Sequence, residues 1–317
     1  MQHWRFLLLE TLVEEAEALL AASGQVGMGL DEASRNAFCE AGPVHAILTR
    51  GKGQVNPALL DACQGLEVVA RCGVGLDNVD VRAATDRQIK VINAPGSNAQ
   101  TVAEHALTLM LMLQRQMVPA ALAVREGNWG IRNGFACDEL QGKTLGVLGM
   151  GNIGQRVARL GAAFEMEVVY WDPYANLDPY ESLAMHEVLR RSDVVSLHVP
   201  LLPETQHLIG QRELELMHSH ALLINTARGG LIDQTALTEA LQQEAIGGFG
   251  ADVLEAEPPE AGELLLSLPN TLITPHVASL TSTTYRNLCV ITAERVVAAL
   301  DGRLTDTFAV FNREELA

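Results

Sequence analysis

The sequence predicts an α/β protein with two parallel sheets, the later one a doubly wound sheet of six strands. Three observations carry this expectation. Short β-branched runs alternate with longer stretches whose apolar residues recur at helical spacing. A glycine-rich turn, Gly149-Met-Gly-Asn-Ile-Gly154, follows one such run and opens a helix. A turn-rich break, Asn93-Ala-Pro-Gly-Ser-Asn98, separates a first series of elements from a second.

In the first series the strand runs are 5–9, 45–49, 67–70 and 90–92, with helix-like segments such as 12–22 between them. After the break a helix is expected over about 99–117. Its stretch Ala106-Leu-Thr-Leu-Met-Leu-Met-Leu113 is apolar almost all round, which predicts burial on most sides, at a domain boundary or a subunit interface. The second series has strand runs at 145–148, 168–171, 194–199, 222–225, 248–253 and 272–274. A helix over 152–164 follows the glycine turn, and a last helix spans about 283–300. The even spacing of this series predicts the six-stranded sheet. The first series reads as a smaller α/β unit.

Composition narrows the function classes. A length of 317 residues suits about two domains. With 48% apolar and 19% charged residues, a largely disordered chain is excluded. The 39 acidic against 22 basic residues leave a charge of -17, a field that repels phosphate backbones, so no nucleic-acid partner is expected. The apolar run Phe6 to Leu9 ends at Glu10 and is too short for a signal-peptide core or a membrane span. No membrane partner is expected, and a cytoplasmic setting is. The five cysteines, at 39, 63, 72, 137 and 289, form no CxxC and no metal-ligand spacing. They predict buried free thiols in a reducing compartment, and no metal site.

The glycine turn carries the first chemistry. Gly149 permits the tight turn, Gly151 lets backbone approach a pyrophosphate, and Gly154 lets helix and strand pack closely. The pyrophosphate meets the positive end of the helix dipole. Asp172, 18 residues past the last glycine, ends the next strand. Its charge would accept from ribose hydroxyls and repel a 2′-phosphate, so the expected cofactor is NAD.

Ligands in an open α/β sheet sit beyond the carboxyl ends of the strands. Three later strands deliver polar residues there: Arg228 after 222–225, Glu257 after 248–253 and His276 after 272–274. An arginine can hold a carboxylate in a bidentate fork. A histidine can give a proton to a carbonyl oxygen as hydride reaches the carbon. A carboxylate beside it orients the ring and favours its charged form. The other histidines, His105 and His198 among them, read as ordinary caps or surface pairs.

Gly149-Met-Gly-Asn-Ile-Gly154, Asn225-Thr-Ala-Arg-Gly-Gly230, Asp252-Val-Leu-Glu-Ala-Glu-Pro258 and Thr274-Pro-His276 resemble the signatures of the D-isomer-specific 2-hydroxyacid dehydrogenases. The resemblance runs nearly end to end. It implies a Rossmann NAD domain, 98–284, inserted in a flavodoxin-like substrate domain made of 1–97 and 285–317. It implies Arg228, Glu257 and His276 as the catalytic set. It implies NAD contacts at Gly149, Gly151, Asn152, Ile153, Gly154, Asp172, Val199, Pro200 and Thr226, with Asp252 holding the nicotinamide carboxamide. A homodimer through the NAD domain is also implied, and it would explain the apolar helix after Asn98.

Within that family, Arg71-Cys-Gly-Val-Gly-Leu-Asp-Asn78 and Val102-Ala-Glu-His105 look most like 3-phosphoglycerate dehydrogenase, in a short form without a C-terminal regulatory domain. By this likeness Val74 and Gly75 cradle the substrate carboxylate, while Arg50, Arg71 and Arg132 meet a second anionic group. The pattern departs at Gln54, where the family carries its lysine, and at Val277-Ala-Ser279. It departs also in the loop after Trp129, where one extra residue shifts Arg132. The expected substrate is a small anionic 2-hydroxy or 2-keto acid, 3-phosphoglycerate first. A hydroxypyruvate or glyoxylate reductase is the alternative, and a non-catalytic NAD-sensing, corepressor-like protein is the alternative of a different class.

Overall fold

The computed structural model describes residues 4–316. The chain divides into two compact units, Met1–Asn98 with Leu280–Ala317, and Ala99–Ser279.

The first unit holds β1 (Trp4–Leu8), β2 (Gly24–Met28), β3 (Ala46–Thr49), β4 (Val68–Arg71) and β5 (Lys90–Ile92). All pair in parallel, in the order β2-β1-β3-β4-β5. Successive side chains leave a strand on opposite faces. Phe6, Leu8, Leu48 and Ala70 therefore pack on one side with Cys289, Ala293 and Val296 of the helix Ser282–Leu300. Leu7, Ile47, Val69 and Val91 pack on the other with Leu60, Val79 and Ala84. Two covered faces explain why these strands read as unbroken apolar runs.

β2 has no counterpart in the sequence reading. Its Gly-Gln-Val-Gly-Met composition carries little strand signal, because glycine weakens a strand and packs nothing. Packing requires one of those glycines: a Cβ on Gly27 would lie 2.2 Å from the Phe38 ring.

The second unit holds β6 (Thr144–Leu148), β7 (Glu167–Trp171), β8 (Glu181–Ser182), β9 (Val194–Leu197), β10 (Leu222–Asn225), β11 (Gly248–Ala251) and β12 (Thr271–Ile273). The order is β12-β11-β10-β9-β6-β7-β8, again parallel throughout. The sheet thus has seven strands where six were expected. The addition is β8, two exposed residues at an edge with no hydrophobic pattern to announce them. Connection direction reverses between β6 and β9, and that switch point opens a crevice at the carboxyl end of β6.

One face of this sheet packs Leu145, Val147 and Ile224 against the helices Ala99–Gln114 and Asn152–Ala163. The other packs Leu148, Val195, Leu223 and Phe249 against Val188, Leu189 and Leu237. The helix expected to be buried nearly all round buries Val102, Ala103, Ala106, Leu109 and Met110, a stripe at helical spacing. Leu107, Leu111 and Leu113 on its flanks are half-buried. It also stops at Gln114, earlier than 117, because Gln116 takes a left-handed backbone (φ 46°) before a separate helix, Met117–Arg125.

The chain re-enters the first unit at Leu280 rather than 285. Thr281 caps the helix Ser282–Leu300, its hydroxyl accepting from the Thr284 N–H at 3.2 Å, so the boundary precedes the whole helix. All five cysteines are free, but only Cys63, Cys72 and Cys289 are buried; Cys39 is half-buried and Cys137 is exposed, against the expectation of uniform burial. The Cys39 and Cys63 sulfurs lie 3.2 Å apart. Among the described residues no single helix is long and apolar enough to cross a membrane. No group of three or more His, Cys, Asp or Glu among them could hold a metal ion.

Candidate active site

The glycine turn follows β6 as its pattern requires. Gly149 has φ 97°, and a Cβ there would meet the His198 carbonyl at 2.7 Å and Val199 Cγ1 at 2.8 Å. That brings Val199, with exposed Pro200 next to it, beside the turn. A Cβ on Gly154 would lie 1.9 Å from the Gly149 carbonyl oxygen, so the helix can seat only on glycine. Gly151 differs: nothing lies within 4 Å of a Cβ built on it. Among the described residues no side chain caps the helix Asn152–Ala163 that begins here, so its terminus has no side-chain acceptor. Asn152 is exposed and Ile153 half-buried at that terminus. At the end of β10, the buried Thr226 hydroxyl has no hydrogen-bond partner among the described residues. An open, uncapped helix terminus and an orphaned hydroxyl fit a dinucleotide.

Asp172, one residue past β7, is more committed than the sequence implied. Its Oδ2 accepts from Met150 N–H at 2.7 Å, and its Oδ1 from Tyr174 and Ala175 N–H at 2.8 and 2.9 Å. A carboxylate has about four acceptor directions, so one remains, on Oδ2, for a ribose hydroxyl.

The three strand-end residues emerge side by side. Asn225 of β10 is level with Ala251 of β11, and Ala251 with Ile273 of β12. Asn225 shapes the first loop, donating to the Arg228 carbonyl at 2.8 Å and accepting from Ala227 N–H at 3.0 Å. Arg228 is half-buried and donates from Nη1 to the Ala227 carbonyl at 2.7 Å. A Cβ on the next residue, Gly229, would sit 1.9 Å from the Leu254 carbonyl carbon, so the β10 and β11 loops touch at the arginine. Glu257 accepts from Leu254 N–H on Oε1 at 3.0 Å. Its Oε2 lies 2.6 Å from His276 Nδ1. With Nδ1 engaged, Nε2 is the nitrogen left for a substrate, on a ring half exposed to solvent (51%).

His276 sits at φ 54°, a strained left-handed position for a residue with a Cβ. Asp252 holds it there. Its carbonyl accepts from His276 N–H at 2.9 Å, while its carboxylate accepts from Val277 and Ala278 N–H at 2.9 and 2.7 Å and from the Thr274 hydroxyl at 2.5 Å. The expected nicotinamide contact would have to use the one acceptor direction left on Oδ2. Sequence reasoning set His105 aside. The structure places its Nε2 at 2.9 Å from the Thr274 hydroxyl. No local pattern links positions 169 residues apart.

In the first unit, the loops after β3 and β4 carry the expected substrate residues. Asn93 Nδ2 donates to the Val74 carbonyl at 2.7 Å, and Arg71 Nη1 donates to the Gly75 carbonyl. Arg71 Nε also holds the Arg50 carbonyl, at 2.8 Å. With these carbonyls tied back, the Val74 and Gly75 N–H groups donate to nothing among the described residues, as an anion cradle requires. Arg50 is engaged. Its Nη1 donates to the Tyr285 hydroxyl at 2.8 Å, its guanidinium lies 4.7 Å over the Tyr285 ring, and its Nε is 3.7 Å from Glu10. Arg132 belongs to the other unit, exposed on the short helix Trp129–Gly134.

Glu10 is a further residue the sequence did not single out. Its Oε1 accepts from the N–H groups of Arg50, Gly51, Lys52 and Gly53 at 2.8–3.1 Å and from the Thr49 hydroxyl at 3.0 Å. Burial pushes its pKa up, but the backbone N–H groups of Gly51, Gly53 and Arg50, with the Thr49 hydroxyl, outweigh that and lower it to about 2 from 4.5. A depressed carboxylate pKa stabilises the fold fully above the unfolded value, and the gain is lost as pH falls toward the folded one. Glu10→Gln should therefore lower stability above pH 5 by about 2 kcal/mol and flatten its fall between pH 5 and 2. Denaturant melts across that range check it, and parallel curves for both proteins would refute it.

Residues 107–278 match the family model described as D-isomer specific 2-hydroxyacid dehydrogenase, NAD binding domain. A D-3-phosphoglycerate dehydrogenase of Methanocaldococcus jannaschii is 36% identical over 95% of the chain, but the chain spans only 58% of that protein's length. A hydroxypyruvate reductase of Thermotoga maritima is 35% identical over 95% of the chain and 99% of its own length. Among solved structures, the TT0316 protein of Thermus thermophilus superposes with a TM-score of 0.87 at 36% identity, covering 95% of this chain and 98% of that one.

Proposed function

The chain belongs to the D-isomer-specific 2-hydroxyacid dehydrogenases, and from that premise we propose that it interconverts a 2-hydroxy acid and its 2-keto acid with NAD, using His276 as the acid/base. The 2.6 Å contact between His276 Nδ1 and Glu257, beside the Arg228 loop, carries this reading. Bound NADH supplies the hydride. His276 Nε2 gives the proton to the carbonyl oxygen in reduction and takes it back in oxidation. Glu257 fixes the ring through Nδ1, and Arg228 holds the substrate carboxylate. The N–H groups of Val74 and Gly75, which donate to nothing among the described residues, support anion binding by the first unit.

For the substrate we propose an anionic three-carbon acid such as 3-phosphoglycerate, supported by Arg50 and Arg71 at neighbouring strand ends. One observation favours a second reading. Arg50 already has Tyr285 and Glu10 as partners, which suits a hydroxypyruvate or glyoxylate reductase that asks nothing of it. The deciding experiment is a kcat/KM panel of 3-phosphoglycerate, 3-sulfolactate and glyoxylate with wild type and Arg50→Ala. A charged hydrogen bond contributes about 1.5–3 kcal/mol, so the variant should lose roughly 10- to 150-fold on the first two and little on glyoxylate. Equal losses on all three would make Arg50 structural. A wild type active only on glyoxylate or hydroxypyruvate selects the second reading. No turnover of any substrate would leave an NAD-sensing protein.

We also propose a homodimer through the NAD domain. Met117, Leu122, Val124 and Trp129 are large apolar residues exposed together in sequence on that unit, and they support it.

A further inference from the structure

Asp252 is the most buried charged residue near the strand ends, its side chain 1% exposed. No lysine or arginine pairs with it among the described contacts; the nearest cationic candidate is His105, with Nε2 at 3.7 Å from Oδ1. The charge is met instead by a hydroxyl and two backbone N–H groups, and those N–H groups belong to the two residues after His276.

The Thr274 hydroxyl has one proton. Its contact to Asp252 Oδ1 is 2.5 Å and charge-assisted, whereas its other acceptor, the Ala251 carbonyl, is 3.3 Å away. The proton therefore goes to Asp252. Toward His105, at 2.9 Å, the hydroxyl can only accept, so His105 must present Nε2–H. That donor comes from the long helix Ala99–Gln114, which packs on β10 and β11 through Ala106, Leu109 and Met110 and is fixed in place.

We propose that His105 is a positioning residue for His276: its Nε2–H sets the Thr274 hydroxyl, which orients Asp252, from whose carboxylate the Val277 and Ala278 backbone hangs. The left-handed backbone of His276 is held from both sides by this chain of contacts. Without the His105 donor, the threonine hydroxyl loses one of its two close polar restraints, and its contact to Asp252 is held less firmly. The loop then loosens, and His276 Nε2 spends less time where a substrate oxygen can take its proton. This inference rests on His276 being the acid/base.

The test compares His105→Leu, which fills the space without a donor, with His105→Gln, which restores an N–H near the Nε2 position. In His105→Leu, kcat should fall about 10-fold with a smaller change in KM for NADH, since the glycine turn is untouched and only the Asp252 end of the cofactor site is disturbed. Amide exchange at Val277 and Ala278 should quicken about 10-fold in the same protein, a readout that needs no turnover. His105→Gln should recover most of both. Thr274→Val should reproduce the loss, and the double variant His105→Leu/Thr274→Val should be no worse, because one chain of contacts is broken only once. Wild-type kcat in His105→Leu, or a lowered kcat with unchanged exchange at 277 and 278, overturns the proposal. If His105→Leu does not fold, Thr274→Val and His105→Gln decide it by the same readings. Loss of the parent reading shows separately: His276→Ala would then keep its turnover, while the exchange data still report on the contact chain.

Discussion

Replacing His276 by alanine is expected to cut kcat by about 10²–10⁴-fold, the usual worth of a positioned proton donor. NADH affinity should hardly move. The side chain stands at the end of β12, while the glycine turn follows β6, and three strands separate them in the sheet order. Stability should also hold, because the ring is half exposed and removing it opens no cavity. Stopped-flow turnover with NADH fluorescence titration separates the two effects. A variant with near-wild-type kcat would show that the proton comes from elsewhere and leave Glu257 as a loop cap.

Gly154→Ala is expected to damage both folding and cofactor binding. Its Cβ would lie 1.9 Å from the Gly149 carbonyl oxygen and 3.0 Å from the carbonyl carbon, both backbone atoms that cannot swing aside. Helix and turn must part, which should cost about 1–3 kcal/mol of stability as an overpacked core does. NADH affinity should fall about 100-fold or more, since the N–H groups that meet the pyrophosphate move with the helix. Gly151→Ala supplies the contrast. With nothing within 4 Å of its Cβ, it should melt like wild type yet bind NADH weakly, because the methyl takes the space the pyrophosphate needs. Equal melting temperatures for wild type and Gly154→Ala, by thermal scan, would refute the packing argument.

Much of the fold was legible because its cause is local. The strands around Leu145, Val194 and Leu222 are buried on both faces and announce themselves as apolar runs. Gly149 and Gly154 were legible for the same reason, since each answers a constraint set within a few residues. β2 was not, because its Gly27 serves the ring of Phe38, a contact that composition does not encode. The site divides the same way. Arg228, Glu257 and His276 stand just past strands that could be recognised. What those residues lean on could not be seen: His105 lies 169 residues from Thr274, and Tyr285 lies 235 from the arginine it anchors. Arg50 looked available in the sequence because Glu10 and Tyr285 become its neighbours only when the sheet and the last helix are assembled.

The division of the first unit across the chain has a consequence for how the protein is made. Phe6, Leu8, Leu48 and Ala70 find cover in Cys289, Ala293 and Val296, and the ribosome delivers that cover more than 200 residues later. Between them lies Ala99–Ser279, a unit complete in itself, which can close while translation continues. At about 5–20 residues per second, roughly 180 residues take about 10–40 s to synthesise. For that interval the nascent sheet exposes the part of one oily face that Leu12, Ala16 and Leu20 do not cover, an opening for chaperone capture or for pairing with the same face of a neighbouring nascent chain.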